Sequence, residues 1–280
     1  MNPSSNTSIP ADAQEQFLAN LANLVALWHA LGADEHKAAD SEPLFQSRSW
    51  PHRLWIEPSL VEAEARTRAA QLARAAASEH GIIVPTWLPP GVSSHASREG
   101  PLAQGLEQAF GQTVMNAALG ETRDDVLQAP KLDFVEGSSV VQEWTETAAR
   151  SFGYAIDPEP FTLLSKHPDA HFVLARREGR SVGTGLLFAT GRVAGIHMVG
   201  VPPEARRSGI AGAMMIHLHK IARECDLRTA ALQASDMGEG LYRKLGYEAY
   251  GRIENFAKRP SAESLRASEG NSPGRRSPLY

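Results

Sequence analysis

Residues Val199–Gly212, Val-Gly-Val-Pro-Pro-Glu-Ala-Arg-Arg-Ser-Gly-Ile-Ala-Gly, run from an apolar strand through a basic, glycine-containing turn into a helix. That order of elements can hold a pyrophosphate. Ile210, Met214, Leu218, Ile221 and Cys225 recur at steps of three and four, one stripe of an amphipathic helix. A helix beginning there aims its first unpaired N–H groups and the positive end of its dipole into the turn at Arg206, Arg207 and Ser208. Gly209 has no Cβ to keep a ligand from the backbone, and Ala211 and Gly212 keep the first turn small. Each charge-assisted hydrogen bond to phosphate is worth about 1.5–3 kcal/mol. The segment has neither the Gly-Lys-Ser/Thr of a nucleotide-triphosphate loop nor a GxGxxG; Gly183-Thr-Gly185 is half of the latter and falls inside a strand. The competing reading is an ordinary strand-to-helix loop with incidental arginines, and the downstream residues decide against it.

Those residues are Leu232-Gln-Ala-Ser-Asp-Met-Gly-Glu-Gly-Leu-Tyr-Arg-Lys-Leu-Gly-Tyr247. Together with Arg206-Arg-Ser-Gly-Ile-Ala211 they resemble the GCN5-related N-acetyltransferases (GNAT), with their Arg/Gln-x-x-Gly-x-Gly/Ala turn followed by a Leu-Tyr-x-x-Leu-Gly-Phe/Tyr segment. The resemblance spans about residues 130 to 257. It departs from the family pattern at three places: Arg207 stands for the usual glycine, Ala211 where glycine is common, and Ser235 for a frequent asparagine that touches the cofactor.

The elements that must position these residues are readable independently. Leu132–Val135 is a short strand. Ser139 and Gln142 form a capping box for a helix to about Ser151, and Asp157-Pro158 caps a second, shorter helix. Strands near 171–177, 181–189 and 193–201 follow, separated by Glu178-Gly179 and Gly191-Arg192 turns. After the phosphate-turn helix come a strand at 229–234, a tyrosine-bearing helix at about 237–245 and a strand from Tyr247. The order βααβββαβαβ predicts an α/β layer fold, a GNAT-like mixed central sheet flanked by helices.

At 280 residues with 42% hydrophobic composition, the chain is larger than one such domain. The expected division is an N-terminal α/β lobe at 1–128, the acetyltransferase-like domain at 129–258 and a disordered tail at 259–280. In the first part, Phe17, Leu21, Leu24, Trp28 and Leu31 make one helix face ending at Gly32. Arg53–Pro58 and Ile82–Val84 read as strands around an alanine-rich helix capped by Ser59 and Glu62, and 89–101 reads as a mobile loop. The lobe is expected to be a degenerate copy of the acetyltransferase unit without a phosphate turn, walling the substrate cleft or mediating a homodimer. A net charge of -4 argues against nucleic acid as partner, and no apolar run approaches membrane length, so a cytoplasmic protein with no membrane partner is expected. Cys225 is expected in the core. His217 and His219, two apart on a helix, face different directions, and His167 with His171 need not converge, so no metal site is expected.

The resemblance implies acetyl-CoA as co-substrate. It places the pantetheine arm on the backbone of Val199, Gly200 and Val201, the pyrophosphate on Arg206, Arg207, Ser208, Gly209, Ile210, Ala211 and Gly212, and a further contact at Ser235. Acyl transfer by direct attack of a primary amine also needs an acid for the departing thiolate. Tyr242 suits that role, since a phenol of pKa about 10 stays protonated at neutral pH; its alternative is a core aromatic. His197, two residues before Val199 and so on the same face, is a candidate base, against a strand histidine merely hydrogen-bonded in the sheet. Glu239 is a second candidate, expected to be exposed. Two functions fit: an N-acetyltransferase acting on an amine of a small molecule, amino acid or peptide, and a non-catalytic acyl-CoA-binding regulatory or assembly module.

Overall fold

The computed structural model describes residues 11–36, 43–58, 82–91 and 94–258. In chain order these form α1 (Ala11–Ala30), β1 (Ala33–His36), β2 (Leu44–Ser47), β3 (Leu54–Ile56), β4 (Ile83–Leu88), α2 (Ser94–Ala103) and β5 (Leu106–Ala118). There follow β6 (Asp133–Glu136), α3 (Val141–Phe152), α4 (Pro158–Leu164), β7 (Ala170–Arg177), β8 (Arg180–Thr190) and β9 (Val193–Gly200). The last are α5 (Ile210–Glu224), β10 (Thr229–Ala234), α6 (Glu239–Lys244) and β11 (Glu248–Lys258). From β6 onward the order is the one expected. The Asp157 carboxylate accepts from Glu159 N–H at 3.0 Å and opens α4 with Pro158 at its first position.

One eight-stranded sheet runs β4-β11-β5-β10-β9-β8-β7-β6, and a three-stranded sheet β1-β2-β3 lies beside it. Within the large sheet β9 and β10 pair parallel and the other neighbours antiparallel. Apolar side chains of α5, Ile210, Met214, Leu218 and Ile221, pack against one face with Met115, Leu187, Ile196 and Leu232. On another part of the sheet, α3 and α4 bury Trp144, Phe161 and Phe172 with Leu27 of α1 and Leu31 just after it, and the Trp144 indole donates to Gly185 O at 3.0 Å. The predicted face of α1 is buried at Phe17, Leu21, Leu24, Trp28 and Leu31, and the chain turns at Gly32 with φ +103°.

The sheet crosses the 128/129 boundary. β4 and β5 both hydrogen-bond to β11, and β5 lies between β11 and β10. Three local expectations are corrected. The Ser139–Gln142 capping box does not form, because a 3-10 turn at Ser138–Val140 leads into α3 and the Gln142 amide instead donates to Glu146. Much of the expected loop at 89–101 is helical, as part of α2. Cys225 is exposed, because the helix has already ended at Glu224 and residue 225 is its C-cap. The Ser59–Glu62 helix and the tail at 259–280 lie outside the described residues.

Candidate functional site

The parallel pairing of β9 and β10 is short. Residues 229–231 pair with 193–195, and beyond Ala231 and Gly195 the two strands separate. The strand edge at 196–200 is thereby left without a β10 partner. Side chains of α1 fill the base of this divergence. Asn20 Nδ2 faces Met115 O, Leu232 O and Asn116 Oδ1 at 3.0, 3.2 and 2.6 Å, and its Oδ1 accepts from Gln233. Asn23 Nδ2 donates to Phe188 O and to Thr190 Oγ1. Both asparagines are fully buried, and in that setting every polar atom needs its partner. Sequence reasoning missed them, although the signal was present: two polar residues three apart, interrupting the apolar face of α1.

Gly195 is what allows α1 to come so close, since a Cβ there would stand 1.7 Å from Asn23 Oδ1. Gly195→Ala is therefore expected to cost about 3 kcal/mol of stability, at the upper end for overpacking, read from urea unfolding midpoints at unchanged m-value.

The turn after β9 has the expected form. Arg207 and Gly209 adopt left-handed backbone, φ +59° and +78°, and α5 starts at Ile210 with no side-chain cap. Among the described residues, the N–H groups of residues 207–212 have no hydrogen-bond partner. Such a nest of free donors at a helix N-terminus suits an oxyanion ligand. The Arg206 side chain is committed to the protein: Nε donates to Val201 O at 3.1 Å and Nη2 to Ser151 O at 2.8 Å, bracing the turn against the end of α3. The Ser208 hydroxyl donates to Ala205 O.

Tyr242 lies on α6, half-buried, its ring 5.9 Å from that of Tyr247. Among the described residues its hydroxyl has no hydrogen-bond partner, and burial pushes the phenol up to about 12. The Ser235 hydroxyl accepts from Gly238 N–H at 3.3 Å, at the entry to α6. Glu239 is half-buried rather than exposed. It accepts from the Thr113 hydroxyl and pairs with Arg243, which together hold its carboxyl below the usual range.

His197 and Val199 do not share a face. Met198 has φ +53° and the β8–β9 register shifts beside it, a bulge that changes the alternation. Val199 packs toward the α5 side, whereas His197 turns to α1, its Nε2 3.0 Å from Asn23 Oδ1. Because the amide oxygen only accepts, that nitrogen carries the proton. Burial lowers the His197 pKa to about 4.

A second buried chain ties the β5–β6 connection to the site. His219 is fully buried on α5; its Nδ1 lies 2.7 Å from Asp124 and its Nε2 2.8 Å from the Tyr247 hydroxyl. Arg223 also pairs with Asp124 at 2.8 Å. His217, as expected, points elsewhere, to Glu136 and the face of Phe134. Burial by itself would raise the Asp124 pKa, but His219 and Arg223 outweigh it and hold the carboxyl below its ordinary value. A depressed folded-state pKa stabilises above the unfolded value of about 3.9 and ceases to do so as pH falls through the folded one. Asp124→Asn is thus expected to flatten the loss of stability below about pH 4, measured by circular dichroism across an acid titration.

Residues 141–247 match the family model described as Acetyltransferase (GNAT) family. Among solved structures, a GCN5-related N-acetyltransferase from Kribbella flavida superimposes with a TM-score of 0.63 at 19% identity, over 91% of this chain and 98% of that one. One from Sphaerobacter thermophilus gives 0.57 at 19% identity, over 90% and 95%. A tandem GNAT protein from the clavulanic acid biosynthesis pathway gives 0.56 at 13% identity, over 92% and 98%. At these identities the likeness is one of fold: a large mixed sheet flanked by helices.

Proposed function

We propose, for a chain whose residues 141–247 match the GNAT-family acetyltransferase model, that it transfers an acetyl group from acetyl-CoA to the primary amine of a small molecule, amino acid or peptide by direct attack. The observation that carries this reading is the pairing of free N–H groups at residues 207–212 with an unpaired strand edge at 196–200. The donors fit a pyrophosphate, and the edge of Val199 to Val201 fits an amide-bearing arm lying alongside it as a pseudo-strand. Acetyl-CoA supplies the thioester when bound. The side chains then have two tasks, to hold the acyl group in the divergence and to donate a hydrogen bond to the departing sulfur, which falls to Tyr242.

His197 is better read as a neutral positioning group than as a base. Its proton-bearing nitrogen is held by Asn23, and a pKa of about 4 makes it a weak acceptor. The amine proton then leaves through water. Residues 1–128 are read as the remnant of a second acetyltransferase-like lobe that lost its phosphate turn and now completes the sheet through β4 and β5. The match to a tandem GNAT protein over 92% of this chain supports that reading.

The test is calorimetric titration of the full chain with acetyl-CoA, followed by thiol release over a panel of primary amines. Micromolar binding with amine-dependent thiol release is expected. Binding without release from any amine would favour the non-catalytic acyl-CoA-binding module, and no binding would remove both.

A further inference from the structure

Arg53 enters β3 with its backbone fixed on both sides. Its N–H donates to Ser47 Oγ at 3.1 Å, its carbonyl accepts from Ser47 N–H at 2.9 Å, and it bridges Ile83. The guanidinium carbon stands 5.7 Å from the centre of the Trp28 ring and 5.4 Å from that of Phe110. Nε and Nη1 are buried, and neither has a hydrogen-bond partner among the described residues. No described carboxylate acts on the group. Burial lowers its pKa to about 10, and the Tyr154 phenol is the one counter-influence. Arginine has five donors and cannot leave its charge behind, so a buried guanidinium with idle donors is a site prepared for an anion.

Its backbone lies beside β4, and its side-chain neighbours lead toward the open end of the β9–β10 divergence. Phe110 lies on β5 three residues beyond Thr113, which pairs with Ala234 at the end of β10. Tyr154 comes three residues after Ser151, whose Cβ is 2.8 Å from where a Cβ of Gly200 would stand at the end of β9. Trp28 is on α1, the helix whose Asn20 and Asn23 fill the base of the same divergence. Phe110 thus extends one lip of the cleft to Arg53, and the Tyr154 phenol, three residues past the other lip, acts electrostatically on the same guanidinium.

We propose that Arg53 anchors a carboxylate carried by the amine acceptor, so that the substrate class is an amino acid or a related amino-carboxylate rather than a polyamine or aminoglycoside. This rests on the acetyltransferase reading above. Nε and Nη1 open to opposite sides of the planar group, so a carboxylate would accept a charge-assisted hydrogen bond from one of them, and the Trp28 and Phe110 rings shield that contact from water.

The test uses the full chain, alone and saturated with CoA, and as probes the N-acetyl derivatives of the protein amino acids, each with its carboxamide and phosphonate counterparts. Binding is read by ligand-observed NMR and calorimetry. At least one carboxylate is expected to bind about tenfold or more tightly than its carboxamide. That preference should vanish in Arg53→Met and be only partly kept in Arg53→Lys. Arg53→Met should melt at or above the wild-type temperature, since it removes an unpaired buried charge. The proposal is overturned if carboxamides bind as well as carboxylates or phosphonates bind better. It is equally overturned if the preference survives in Arg53→Met, or if that variant loses stability with its preference intact, which would assign Arg53 to packing between the two rings. Because the carboxylate preference is read with and without CoA, a protein that discriminates carboxylates but fails to bind CoA would reject the acetyltransferase reading and leave the anchor standing.

Discussion

Ala211→Glu is expected to weaken acetyl-CoA binding by about 100-fold or more while leaving the melting temperature unchanged or raised. The two effects have opposite signs for one reason. Ala211 sits in the first turn of α5, partly exposed, where no side chain caps the helix. A carboxylate there favours the helix dipole by about 0.3–1 kcal/mol. The same charge occupies the space where residues 207–212 direct their free N–H groups, and repulsion of a pyrophosphate at about 4 Å exceeds 2 kcal/mol in partly desolvated surroundings. Calorimetry with acetyl-CoA and a thermal melt, run on the same preparation, read the two signs. Substitution at Gly209 would be a poorer test. That residue has φ +78°, and an added Cβ would lie 3.1 Å from Pro130 Cδ and 3.4 Å from Gln128 O, so lost binding there would mix charge with backbone strain. If Ala211→Glu binds as the wild type does, the pyrophosphate does not rest on this turn.

The C-terminal part of the fold was legible because each of its elements carries a local signal that agrees with the tertiary one. Residues 229–234 are mostly apolar and bounded, Asp157-Pro158 fixes a helix start, and the stripe on α5 has the period of a helix that packs on one side. The longest strand was not legible. β5 reads Leu-Glu-Gln-Ala-Phe-Gly-Gln-Thr-Val-Met-Asn-Ala-Ala, with no clean alternation and much residue content indifferent to strands. It is extended because β10 and β11 both supply hydrogen bonds along it, a case of context overriding propensity. The error at His197 has a different origin. Alternation by two holds only for an unbroken ladder, and one left-handed residue at Met198 reverses the parity of what precedes it.

The same distinction separates the donor site from the acceptor site. The proposed donor site is one continuous stretch, β9, turn and α5, so the spacing of residues along the chain is already its geometry. The proposed acceptor side draws on Trp28, Arg53, Phe110 and Tyr154, which lie on four separate segments. No spacing rule joins them; they meet because α1 crosses the divergence and because β5 is inserted beside β10. A sequence can thus announce where an acyl-CoA would rest while remaining silent about what receives the acyl group.

Tyr242→Phe is expected to lower kcat by about 100-fold with acetyl-CoA affinity unchanged within about twofold. Removing one hydroxyl leaves the ring and its packing beside Tyr247 in place. A phenol pushed up to about 12 remains protonated at any pH a kinetic assay would use. Full transfer of its proton to a thiolate of pKa about 8.5 would be uphill by about 5 kcal/mol, at 1.36 kcal/mol per unit. In the proposed reaction Tyr242 therefore serves chiefly as a fixed hydrogen-bond donor to the sulfur as charge develops there, which places its contribution in kcat rather than in binding. The pH profile separates this from simple acid catalysis. For the wild type, kcat/KM should rise with pH as the acceptor amine loses its proton and show no falling limb up to about pH 10, because no group in this role deprotonates below that point. The Phe variant should keep the same rising limb at a lower plateau. Tyr247→Phe supplies the contrast: its hydroxyl is held by His219 Nε2 at 2.8 Å, so that variant should lose stability and retain most of kcat. A Tyr242→Phe enzyme within threefold of wild-type kcat would leave the thiolate to water and remove Tyr242 from the reaction.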